Sequence, residues 1–267
     1  MFTLGRKIDI HYPTNRWIVI IAIIVTGLSY ILTREFSIAW KTGASVFLTW
    51  ALTREIDPKR EYAAFVSVFF ALSSLLVGFQ VDLMVIFFLL LTLRFVNKVV
   101  GDNNTIFDMI TLLGFAGFLS YGGQTSAFIL MLLIALFLNL KTTKDKKMNT
   151  VFFVLTTLVL FVELFIIGGF RISVFMGKGI LITGFASIFL FLIFILIDND
   201  KSTLDDNGLI VESQIILKAQ IFFAISLGLL FIYTKISIGN LIVYLSSIWG
   251  YMIYGSFSIL RKKKIQI

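Results

Sequence analysis

Apolar runs of membrane-spanning length recur from one end of this chain to the other, and they constrain it more than any motif. Ten can be read, at residues 17–33, 37–53, 62–79, 82–100, 105–120, 124–140, 149–169, 179–197, 214–234 and 238–260. They average about 19 residues, close to the ~20 a helix needs to cross a hydrocarbon core of about 30 Å. An all-α fold follows, because a lipid-exposed span must satisfy its backbone polar groups within itself. Composition agrees: 58% of the 267 residues are apolar and 14% are charged, with a mean hydropathy of +0.98. A soluble domain would have about a quarter of its residues charged. The expectation is one polytopic transmembrane domain over residues 1–267, a bundle of about ten helices with the lipid bilayer as its first partner. The longest stretches outside the runs, 1–16 and 198–213, leave no room for a soluble domain. The acidic second one reads as a solvated linker.

The net charge of +8 would suggest nucleic acid in a soluble protein; here its placement matters more, and no nucleic-acid partner is expected. With the N-terminus inside, Arg34, Lys41, Arg171, Lys178 and Lys235 fall at the outer side. The other 18 of the 23 Lys and Arg residues stay inside, among them Arg6, Lys7, Arg16, Lys141, Lys144, Lys146, Lys147 and the run Arg261 to Lys264. That bias is the positive-inside pattern. It places both termini in the cytoplasm, makes the chain a multi-pass protein of the plasma membrane, and requires an even number of crossings. Ten fit, and eight fit if one tight helix pair is re-entrant.

Several chemistries are excluded. There is no cysteine, and the single histidine is His11, so thiolate sites and imidazole catalysis are out of reach. Pro13 and Pro58 both lie outside the runs, so no span is broken by proline. Two aspartate motifs of the kind that membrane prenyltransferases of the UbiA type use are absent, since Leu112 stands four residues after Asp108. No catalytic residue, cofactor or metal set is assigned. The ten-helix layout with both ends inside resembles that of small drug/metabolite-type carriers, in helix count alone.

Polar residues at membrane depth are the remaining clue, because each costs free energy unless paired or wetted. In the last run, Asn240, Tyr244, Ser247, Tyr251, Tyr254 and Ser258 fall at helical spacing on one stripe. They could line a polar path or form an interhelical seam. Thr42, Ser45, Thr49 and Thr53 make a second stripe, cheap to bury because hydroxyls can bond back to their own helix. Glu163 stands alone in VLFVELFII, about six residues or 9 Å from the outer end of its run. A glutamate does not easily reach the surface from there, so it needs a partner, water or a proton.

The densest polar cluster is expected at a cytoplasmic corner. Arg54, Glu55 and Asp57 end the second run, and Arg94, Asn97 and Asp108 flank the turn between the fourth and fifth. Such a corner could bind a lipid head group or another anionic ligand, with Arg94 bonded to Glu55, Asp57 or Asp108. Part of it has a local explanation: Asp57-Pro58 has the form of a helix N-cap, Thr105 with Asp108 that of a capping box, and Lys59 and Arg60 that of membrane-surface anchors. Three functions remain open. A small carrier for a polar or anionic solute would turn its polar residues inward. A lipid-handling enzyme would open the carboxylate corner toward lipid. A non-catalytic subunit or assembly factor would show a polar-aromatic stripe on its outer surface.

Overall fold

The computed structural model describes residues 2–6, 9–76, 80–101, 104–167, 169–170, 177–199 and 201–265. Lys7 and Arg171, counted above, lie outside them. Each apolar run contains a helix: α1 (Pro13–Thr33), α2 (Phe36–Ile56), α3 (Ala63–Ala71), α4 (Leu83–Asn97), α5 (Ile106–Gly123), α6 (Ala127–Asn139), α7 (Lys146–Ile167), α8 (Lys178–Ile197), α9 (Ser213–Tyr233) and α10 (Ile238–Ile265). Among the described residues, six of these are long and apolar enough to cross a membrane: α1, α5, α7, α8, α9 and α10. The protein is an all-α membrane protein. Helix α1 leaves Ile23, Ile31 and Leu32 exposed, and α7 leaves Leu158, Phe161 and Phe165 exposed. Faces of that kind are at home against lipid and nowhere in water.

Three helices are shorter than their runs, for local reasons. Helix α3 tightens after Ala71 into a 3-10 segment, Leu72–Leu76, where the Ser74 hydroxyl donates to the Ala71 carbonyl at 2.7 Å. A hydroxyl bonded three residues back competes with the α-helical ladder. Helix α4 stops because Asn97 accepts from Val99 N at 3.0 Å and Lys98 turns left-handed at φ 57°. Helix α6 starts after Gln124, at φ 51°, and ends at Asn139, whose amide donates to Phe95 O at 2.8 Å.

The helices gather into two compact units. One comprises Lys7–Ile86, Thr183–Lys201 and Ser237–Ile267. Within it α1 packs on α2, and α10 packs on α2 and α3. At Gly250 the backbones of α10 and α3 nearly touch, since a Cβ there would lie 2.6 Å from Ser67 N. The other unit comprises Met1–Arg6, Phe87–Ile182 and Ser202–Ile236, with α6 packed against α5, α7 and α9. It also contains a small hairpin, β1 (Thr203–Leu204) paired antiparallel with β2 (Ile210–Val211).

Candidate functional site

The first unit holds a buried ionic network where α2 ends. Asp57 closes α2, its N–H donating to Thr53 O at 2.8 Å. Helix α3 begins six residues later with Tyr62 as its cap. The N-cap expected of Asp57-Pro58 is therefore not formed: the chain makes turns over 58–62 and the Asp57 carboxylate is taken by Arg60, at 2.6 Å. Arg60 also pairs with Asp198, just past α8, and its guanidinium lies 5.5 Å from the Tyr251 ring centroid. The Tyr251 hydroxyl donates to Asp198 at 2.9 Å. Lys201 donates to Ile195 O nearby. Asp57, Asp198 and Lys201 are all buried. So the 198–213 stretch is solvated only in part, as its first residues belong to this core.

The charges influence one another. Burial pushes the Asp57 carboxyl from 3.8 up to about 6, even with Arg60 bonded to it. Burial opposes the Arg60 charge too, but Asp57 and Asp198 outweigh it and hold the guanidinium above its ordinary value. Burial lowers the Lys201 ammonium, with Asp198 acting against it. Arg54 sits apart, its guanidinium 5.2 Å from the Trp50 ring and 6.0 Å from the Tyr12 ring, and bonded to Glu61 at 3.1 Å. Glu55 is buried in the last turn of α2.

Most members of both polar stripes in this unit find partners within the protein. Thr42, Ser45, Thr49 and Thr53 each donate to a carbonyl of their own helix. On α10, Asn240 accepts from Asp82 N at 2.7 Å and donates to Asp82 O at 3.1 Å. Its amide also reaches the Tyr244 hydroxyl at 3.3 Å, and Ser247 bonds Val243 O. Tyr244 and Tyr251 are fully buried. The stripe is thus tied to Asp82 and Asp198, with Tyr244, Ser247 and Tyr251 inside and Tyr254 and Ser258 half-buried.

The remaining corner residues, Arg94, Asn97 and Asp108, belong to the other unit. There Asp108 closes the expected capping box with Thr105 and also accepts from Thr3 N and Thr3 Oγ1, both at 2.7 Å. Arg94 donates to Leu4 O at 3.2 Å. These side chains strap residues 3–4 onto α4 and α5. The six corner residues thus split between the units: Asp57 is committed to Arg60, and Asp108 to the N-terminal strap.

Glu163 lies four residues before the end of α7, about 6 Å along the axis, so it is shallower than its apolar run implied. The hydroxyls of Ser120, in the last turn of α5, and Ser126, capping α6, face its carboxyl. Among the described residues, Oε2 of Glu163 and both serine hydroxyls are buried atoms without a close hydrogen bond. Along α7, Asn149 and Thr156 precede Glu163 at steps of seven, and each carries a buried oxygen without a partner. The spacing of seven is legible in the sequence, where Asn149, Thr156 and Glu163 share one face of the helix. Among the described residues no three His, Cys, Asp or Glu side chains gather as a metal site. The chain matches no family model, no curated protein and no solved structure.

Proposed function

We propose that the protein is a small carrier that moves a small polar or anionic solute across the plasma membrane, with ten crossings and both termini in the cytoplasm. One observation supports this reading above the others. The α2 hydroxyls bond back to their own helix and the α10 stripe is tied to Asp82 and Asp198, whereas half-buried Glu163 faces the Ser120 and Ser126 hydroxyls with an Oε2 that makes no close hydrogen bond among the described residues. Leaving a buried polar atom unpaired costs about 1–3 kcal/mol. A carboxyl kept at that depth is by default a candidate for meeting a passing ion or solute. The lipid-handling alternative rested on an open carboxylate corner, but Asp57 and Asp198 are engaged with Arg60. The subunit alternative expected an outer polar-aromatic stripe, and Tyr244 and Tyr251 are inside.

The test is reconstitution into liposomes with a panel of small polar and anionic solutes, read by solute-evoked current. The expected result is a response from the wild type to at least one solute class and a loss of at least tenfold in Glu163→Gln. Equal responses from both proteins would remove Glu163 from the transport path. Silence of the wild type across the panel would favour a subunit role.

A further inference from the structure

Helix α7 sorts its side chains onto two faces. Asn149, Thr156 and Glu163 lie on the side packed into the unit, where Asn149 donates to Leu136 O of α6 at 3.1 Å. The opposite side carries Lys147, Val151, Val154 and Leu158, at steps of four, three and four. All four are exposed. Along the first turns of this outward face runs an open groove of about 520 Å³, lined by Lys146, Lys147, Thr150, Val151 and Val154. It is cationic at one end and apolar at the other. Val151 and Val154 are 56% and 51% exposed, and the Thr150 hydroxyl is spent on Lys146 O at 2.8 Å. From Lys147 to Val154 the helix rises about 10 Å.

The lysine end is held in place. The loop of residues 140–145 is short and tied down, with Lys98 donating to Thr142 O and the Thr143 N–H to Asn139 O at 3.1 Å. Lys141 and Lys144 on that loop are exposed as well. The neighbouring acid, Asp145, turns its carboxylate onto the start of α7 and accepts from Met148 N at 3.0 Å. Four lysines against this one acid leave a net charge of +3 over residues 141–147.

That pairing of surfaces selects the occupant. Helix α7 is long and apolar enough to cross a membrane, so its outward valines and leucine meet lipid and its lysine end lies at the level of the head groups. Lysine stems run along apolar surface while their ammonium groups reach the phosphates. A soluble polyanion would gain nothing from Val151 and Val154. A zwitterionic lipid offers a phosphate but brings its own ammonium against the lysines. A lipid with a net negative head group satisfies both ends of the groove.

We propose that this groove binds an anionic phospholipid, with Lys146 and Lys147 holding the head-group phosphate and Val151 and Val154 the start of an acyl chain. The site needs α7 to span the membrane. It depends neither on the carrier reading nor on which side the lysine end faces.

Purified protein in dodecyl maltoside micelles, titrated with phosphatidylglycerol or phosphatidylcholine and read by native mass spectrometry, tests this. The wild type should retain phosphatidylglycerol about tenfold more tightly than phosphatidylcholine. A lysine near the head groups contributes about fivefold to anionic lipid binding, so the double variant Lys146→Gln/Lys147→Gln should weaken phosphatidylglycerol about thirtyfold and leave phosphatidylcholine unchanged. Lys59→Gln, at an exposed lysine of the other unit, should alter neither. Both groove lysines are exposed, so the double variant should keep the wild-type Tm without lipid; if it does not, Lys147→Gln alone, with a loss of about fivefold, carries the test. Excess inorganic phosphate should leave the lipid bound. Equal retention of the two lipids, wild-type binding in the lysine variants, the same loss in Lys59→Gln, or displacement of the lipid by inorganic phosphate would each overturn the assignment.

Discussion

Asp57 shows how burial and pairing compete at a single residue. It is bonded to Arg60, yet its carboxyl stands at about 6 rather than 3.8, because burial outweighs the guanidinium. The folded protein therefore holds a proton between these values that the unfolded chain has released. Stability from this group is fully present below about pH 3.8 and is lost as pH rises through about 6, a loss of roughly 3 kcal/mol. Thermal unfolding in detergent should show a Tm that declines from pH 4.5 to 7.5 in the wild type and declines less in Asp57→Asn. Parallel curves would mean that another group carries the dependence. The residue scale is also where the sequence was least legible. Asp57 and Tyr251 stood out as polar groups, but Arg60 passed as a membrane anchor and Asp198 as part of a solvated linker. Their pairing spans 138 residues, and no local pattern encodes a partner at that distance.

Helix existence was legible at the level of elements, because each apolar run became a helix; lengths were not. The run 62–79 looked uniform by hydropathy, but a serine bonded three residues back tightens α3 into a 3-10 turn. The α10 stripe was readable as a stripe, and its use as a seam needed the partners Asp82 and Asp198. Close helix approach occurs at Gly250, which lies against Ser67 of α3. Gly250→Ala should consequently destabilise the protein by about 1–3 kcal/mol, since the added methyl meets α3 backbone. Gly228→Ala, in α9 with open space where its Cβ would go, is the matched control and should stabilise by up to about 1 kcal/mol through helix propensity. Similar Tm shifts in the two variants would show that the α3–α10 contact is looser than its geometry implies.

The number of crossings is a question for the whole molecule, and it turns on the short helices. Alone, the 15 residues of α4 reach about 22 Å, less than the ~30 Å of a hydrocarbon core. The alternative to ten crossings is a re-entrant α3–α4 pair. Contacts along α10 argue against it. Arg60, just before α3, lies against Gly255, while the turn at Gln80 and Val81 meets Gly239, and Asp82 is tied to Asn240. From Asn240 to Gly255 helix α10 rises about 22 Å, so α3 and its 3-10 extension cover most of a core thickness beside it. The absence of cysteine gives a clean background for single introduced thiols and a membrane-impermeant maleimide. Gln80→Cys and Lys235→Cys should label in intact cells, and Lys144→Cys after permeabilisation alone; all three positions are exposed. Labelling of Lys235→Cys but not Gln80→Cys from outside would make α3 and α4 re-entrant and leave eight crossings. Labelling of Lys144→Cys from outside would invert the map, because the positive-inside expectation places the four lysines from Lys141 to Lys147 on the cytoplasmic side.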